Sequence, residues 1–119
     1  MNDPAMTPST GFLVVKVSTA QGAIPLENAT VNIRGGSAED SGILYSLRTD
    51  RDGKTSPVAL ATPSLSQSET PQGDTPYSVY HVDVFLDGYQ PLFFHNVPIF
   101  PSIISVQPAI MIPDPASPL

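Results

Sequence analysis

The chain has 119 residues, enough for one domain around one hydrophobic core and too few for two. Eleven Asp and Glu stand against five Lys and Arg, a formal charge of −6, so the clustered cations that nucleic acid or an anionic membrane surface would need are missing. Without cysteine there is no disulfide, thiolate nucleophile or cysteine-ligated zinc, and the 14 prolines leave no long uninterrupted helical stretch.

Residues 1–10 are rich in Pro, Ser and Thr and are expected to form a flexible N-terminal segment. They show neither the basic nor the apolar region of a signal peptide, and no apolar run is long enough to insert in a membrane. From Gly11 to Ser18 the residues alternate, with Leu13, Val15 and Val17 on one wholly apolar face. That period of two predicts a strand with this face toward a core. Gly22 and Pro25 break the chain between Thr19 and Asn28. A second strand is predicted from Ala29 to Arg34, with Ala29, Val31 and Ile33 inward and Thr30, Asn32 and Arg34 outward.

A third strand is expected from Ile43 to Thr49 and a short fourth from Thr55 to Leu60. Between them lies Asp50-Arg51-Asp52-Gly53, a turn in which the aspartates can bond their own backbone and Gly53 can take positive φ. Ala61 to Pro76 reads as a long polar loop. The longest strand signal runs from Tyr77 to Leu86, with Tyr80, Val82, Val84 and Leu86 on one face and His81, Asp83 and Phe85 on the other. After the Asp87-Gly88 turn come Gln90 to Val97, then Ile99-Phe100, and a last strand from Ile103 to Ile112. Residues 113–119 read as a Pro-rich tail or linker, which bounds the sandwich domain at 11–112. Seven or so short strands with regular turn signals predict an all-β fold, a seven-stranded antiparallel Greek-key sandwich.

The order of these motifs resembles a known family. The first strand Gly-Phe-Leu-Val-Val-Lys-Val is followed by Ile24-Pro25-Leu26-Glu27-Asn28-Ala29-Thr30-Val31, by Thr49-Asp50-Arg51-Asp52-Gly53, and by Tyr80-His81-Val82-Asp83-Val84 closing on Gly88-Tyr89. This resembles the carboxypeptidase regulatory-like domain, a transthyretin-like sandwich. The ending, Asn96-Val97-Pro98-Ile99-Phe100-Pro101 with Ser105-Val106-Gln107-Pro108 and Met111-Ile112-Pro113, is similar to the version found in clostridial spore-cortex-lytic and peptidoglycan-binding proteins. The resemblance implies a non-catalytic accessory module in the cell wall, in the spore or outside the cell. Its implied partner is a neighbouring domain of the same protein or peptidoglycan, with no cofactor.

The chemistry-bearing residues are few. Asp50 and Asp52 have the look of a calcium loop, but Thr55, Ser56 and Pro57 stand where further ligands are needed, so a turn is the simpler reading. His81 lies two residues from Asp83 on one strand face, a weak acid–base signal that two solvent-facing polar residues explain as well. His95, the other imidazole, follows two phenylalanines and is expected to be half buried or at an interface. Transthyretin-like ureide hydrolases end in Tyr-Arg-Gly-Ser, which this chain lacks. Some pilin sandwiches link a first-strand lysine to a last-strand asparagine; here Lys16 lies on the face opposite Leu13, Val15 and Val17, and the last strand offers Gln107, not Asn. No nucleophile elbow or phosphate loop is present, and the chain is expected not to be an enzyme.

The aromatic set Tyr77, Tyr80, Tyr89, Phe93, Phe94 and Phe100 could form a sugar-stacking platform, although Tyr80 and Tyr89 suit core positions better. Phe93 and Phe94 are adjacent in a strand, so they point to opposite faces and one of them is expected outside. Phe93, Phe94 and Phe100 are the candidate binding residues. A glycan binder should present a row of exposed aromatics on one sheet, an interaction module a single apolar patch, and a structural stalk or pilin-like spacer neither. Open sandwich edges would also permit strand pairing between copies.

Overall fold

The computed structural model describes residues 9–36, 42–64 and 77–115. The alternation of apolar residues decides what faces inward, and the described residues form eight strands in two sheets. They are β1 (Ser9–Thr19), β2 (Ile24–Pro25), β3 (Thr30–Gly35), β4 (Ile43–Arg48), β5 (Val58–Thr62), β6 (Ser78–Phe85), β7 (Leu92–Ile99) and β8 (Ile104–Ile110). Sheet A is built around β1, with β2, β5 and β8 as its neighbours, and sheet B has the order β4-β3-β6-β7. Leu13, Val15 and Val17 from sheet A meet Val31, Ile33, Val82, Val84 and Ile99 from sheet B, all fully buried. Each such side chain removed from water contributes about 1.5–3 kcal/mol.

β1 organises sheet A because both of its edges are used along nearly its whole length. β8 runs parallel to it from Phe12 to Ser18. On the other edge β5 pairs antiparallel with Ser9–Leu13, and β2 pairs with Ser18 and Thr19. Between these two, the Asp-rich turn itself supplies the pairing. The Val17 N–H donates to the Gly53 carbonyl at 2.7 Å, the Thr55 N–H donates to the Val15 carbonyl, and Thr55 Oγ1 accepts the Val15 N–H at 3.0 Å. Asp50 Oδ1 accepts the N–H groups of Asp52 and Lys54, so this carboxylate caps the turn. The neighbouring Thr49 hydroxyl donates to the Leu26 carbonyl at 2.7 Å and accepts the Ala29 N–H, tying the entry of β3 to the exit of β4.

Three details differ from the sequence reading. The sandwich is not purely antiparallel, because β8 lies parallel to β1. The chain leaves β7 in sheet B, turns through Phe100–Ile103 with Ser102 at φ +61°, and enters sheet A in the direction of β1. Alternation reports which side is buried, not which way a neighbour runs. Ile24–Pro25, expected within a turn, forms a two-residue strand, bringing the described strands to eight. The fourth expected strand begins at Val58 rather than Thr55, because the Thr55 side chain takes the β1 N–H in place of a regular ladder bond.

β1 begins at Ser9, within the expected N-terminal segment, and residues 1–8 lie outside the described residues. Most of the expected long loop, 65–76, also lies outside them. At the other end Pro113 bridges Tyr89 and the Asp114 N–H donates to the Gly88 carbonyl, so the start of the expected tail is docked on the β6–β7 turn. No helix among the described residues is long and apolar enough to cross a membrane.

Candidate functional site

The outward residues of sheet B are mostly polar or aromatic, and its register sets them side by side. Asn32 on β3 stands between Ser46 on β4 and Asp83 on β6, and Asp83 pairs in turn with Phe93 on β7. Arg34 stands beside His81 in register and reaches across to Asp83. This ion pair is bidentate, with Nε to Oδ2 at 2.9 Å and Nη2 to Oδ1 at 3.3 Å. It explains why Asp83 is buried rather than solvent-facing as expected: the guanidinium folds over it and satisfies both oxygens. Asn32 is less well served. Its Oδ1 is buried and has no hydrogen-bond partner among the described residues.

Three ring pairs bridge β6 and β7 or their immediate ends. Phe85 and Phe93 meet edge to face at 5.8 Å, His81 and His95 at 5.1 Å, and Tyr77 and Phe100 at 5.5 Å with tilted planes. Tyr77, His81 and Phe85 are four residues apart, so strand parity puts them on one face, opposite the buried Tyr80, Val82 and Val84. The three pairs therefore form a ladder running roughly 26 Å along the outside of the hairpin. Tyr77 and Phe93 are each about half exposed, at 53% and 54%. The His81 ring is oriented by the Asn96 N–H, which donates to its Nδ1 at 3.3 Å. That contact lies at the register shift between Tyr80 and Val82, where Asn96 takes φ +58°.

At the Phe85 end the ladder opens on a shallow cleft of about 240 Å³ lined by Asn28, Thr30, Arg48, Phe85, Leu86 and Asp87. Arg48 Nη1 donates to Asn28 Oδ1 there at 3.1 Å. This cleft is smaller than a drug-sized pocket and would admit a single ring or small group.

The structure divides the predicted binding residues. Phe93 is on the outer face and Phe100 closes the far end of the ladder against Tyr77. Phe94 turns the other way and packs, half buried, against the core, so it is not part of this surface. Tyr80 is buried and Tyr89 packs on the core, as their spacing suggested. Lys16 is exposed on the outer side of sheet A, in register with Pro108, whereas Gln107 pairs with the inward Val15. A Lys16–Gln107 linkage is therefore ruled out by geometry. Phe85, Asn32 and Arg34 complete the surface. Their outward parity was legible, but the adjacency of β3, β6 and β7 was not.

No family model and no curated protein matches the chain. Solved structures do. A point mutant of the catechol 1,2-dioxygenase from Acinetobacter radioresistens aligns with TM-score 0.60 and 13% identity over 95% of this chain and 55% of its own. The minor pilin of Streptococcus agalactiae aligns with TM-score 0.55 and 17% identity, covering 94% and 49%. A type II cohesin–X-dockerin complex from Acetivibrio cellulolyticus gives TM-score 0.52 and 14% identity, covering 87% and 58%. The likeness is one of fold. It supports a β-sandwich shared by proteins of different activities, which is what sites grafted on a common scaffold produce. This chain spans less than two thirds of the length of each of these structures.

Proposed function

We propose that this chain is a non-catalytic, transthyretin-like accessory module of a bacterial cell-wall or spore-cortex protein, and that its β6–β7 face lies along peptidoglycan. The observation that carries the reading is the ladder of three ring pairs on one outer face. Rings set at intervals along a strand suit an extended polymer better than a compact ligand. Aromatic faces stack on the C–H faces of sugars, while polar edges take their hydroxyls. The order of motifs, from the Pro25 turn to the Pro-rich ending, supplies the cell-wall context by resemblance.

A second reading, a stalk or spacer between neighbouring domains, is favoured by one observation. Because β1 and β8 are parallel, the chain runs into sheet A at one end and out at the other. An eleven-residue β1 separates those ends by roughly 35 Å. The two readings are compatible, since an in-line module can hold its neighbours apart and still touch the wall.

Backbone amide NMR of the labelled chain, titrated with soluble glycan strands released from peptidoglycan, tests the binding reading. Shifts are expected to cluster on Tyr77, His81, Asn32, Phe85 and Phe93. Shifts confined to sheet A, or none at saturating glycan, would contradict it.

A further inference from the structure

The outer face of sheet A has a pattern that the glycan reading does not use. On β8 the usual alternation is reversed. The inward residues are Ser105, Gln107 and Ala109, while Ile104, Val106, Pro108 and Ile110 point outward. Ile104 is 62% exposed, Val106 57% and Ile110 47%. A sheet face open to water normally carries polar residues, whereas strands that pair in parallel are usually covered on both faces and apolar on both, and β8 pairs in parallel with β1. The register extends the patch across the sheet, setting Phe12 between Ala59 and Ile104, and Val14 beside Val106.

We infer that this face is covered by the same face of a second copy, giving a two-fold dimer packed sheet on sheet. Four observations favour that occupant. Among the described residues no carboxylate lies on the outward side of β1, β5 or β8, and Asp52 stands at one end of the patch, lining a cleft with Lys16 and Lys54, so the apolar parts of two acidic copies can meet here without opposing carboxylates. The cations of the face, Lys16 and Lys54, are paired through a β-bridge at one end of the patch. In a two-fold pairing with strands antiparallel they fall over the partner's Phe12 end rather than over its lysines. The exposed Ile104, Val106 and Ile110 side chains make a patch suited to a small, weakly associating interface rather than one of standard size. Finally, Pro108 removes a backbone donor from the middle of edge strand β8, which disfavours strand addition at that edge and leaves face-to-face packing at about 10 Å. The patch offers a sugar no amide or carboxylate, and the net charge of −6 opposes an anionic membrane.

Sedimentation velocity of the full chain from about 5 to about 500 μM tests the inference. The expected result is a reversible dimer with Kd on the order of 10 μM. Val106→Glu should weaken it at least ~100-fold while circular dichroism and the melting curve stay native, since an unpaired charge would be placed in an apolar contact. Ile110→Lys serves as a second disruption should the first variant lose its fold. Phe93→Glu, on sheet B, should leave the dimer intact. A monomer throughout the range overturns the inference, as does a dimer that Val106→Glu and Ile110→Lys leave unchanged or that Phe93→Glu abolishes.

Discussion

Replacing Gly53 by Ala is expected to destabilise the fold by about 3 kcal/mol, a fall in Tm of about 12 °C for a domain of this size. Two costs combine. Gly53 holds φ +77°, a conformation an L side chain adopts with strain. A Cβ built there would also run into the Val17 carbonyl oxygen, with the Leu26 nitrogen at 3.1 Å and Pro25 Cβ at 3.2 Å. None of these three obstacles is a flexible side-chain end. The Val17 carbonyl accepts the Leu26 N–H, and the Val17 N–H donates to Gly53 itself, so relief at one bond disturbs the other. Gly22 provides the control: it has φ +94°, but an added methyl would meet nothing within 4 Å, so Gly22→Ala should cost only about 1 kcal/mol. Asn tolerates the left-handed region, so Gly53→Asn relieves the first cost and not the second. Thermal melts of the three variants separate the causes. If Gly53→Asn proves as mild as Gly22→Ala, close packing against β1 is not what demands glycine.

Leu13→Ala is expected to cost a similar amount, about 3 kcal/mol, through loss of transfer free energy and an unfilled cavity. Leu13 is fully buried on β1, the strand with neighbours on both edges, so the walls around it have little freedom to close in. The urea midpoint should fall by roughly 2 M with an unchanged slope. Leu44→Ala makes the same chemical change at an exposed edge position, where the β3–β4 register shifts, and should cost under about 0.5 kcal/mol. Equal losses at the two positions would contradict the assignment of the core to the β1 inward face.

These two positions also show how far the sequence could be read. Leu13, Val15 and Val17, then Val31 and Ile33, then Val82 and Val84 were legible as core because the strand period of two is written in residue type alone. Gly53 was legible as a turn residue because Asp-rich turns need positive φ, but its contact with Val17 links residues 36 apart in sequence and leaves no local trace. The same limit applies to Asp83. Its alternation placed it on the outer face correctly, yet its burial depends on Arg34, 49 residues away. The parallel course of β8 was illegible for a different reason: a side-chain pattern is unchanged when a strand is reversed.

The candidate site was half legible. Parity required Phe93 and Phe94 to part, but only the pairing with β6 shows that Phe93 is the outward one. The ring ladder depends on that pairing, including the shift at Tyr80/Val82 that sets His95 against His81. Phe85 and Tyr77 carried the right parity in the sequence and acquired their partners only from the hairpin.

We propose that this outer face of sheet B contacts the wall polymer. The most direct test is co-sedimentation of the purified chain with insoluble peptidoglycan and with spore cortex, beside Phe93→Ala/Phe100→Ala and, as a control, Val106→Glu on sheet A. The chain is expected to sediment with at least one of these polymers. The double variant should lose ten-fold or more of that binding, roughly the 1.4 kcal/mol that a stacked ring provides, and Val106→Glu should keep it. Absence of sedimentation with either polymer, or binding that the double variant retains in full, would contradict it.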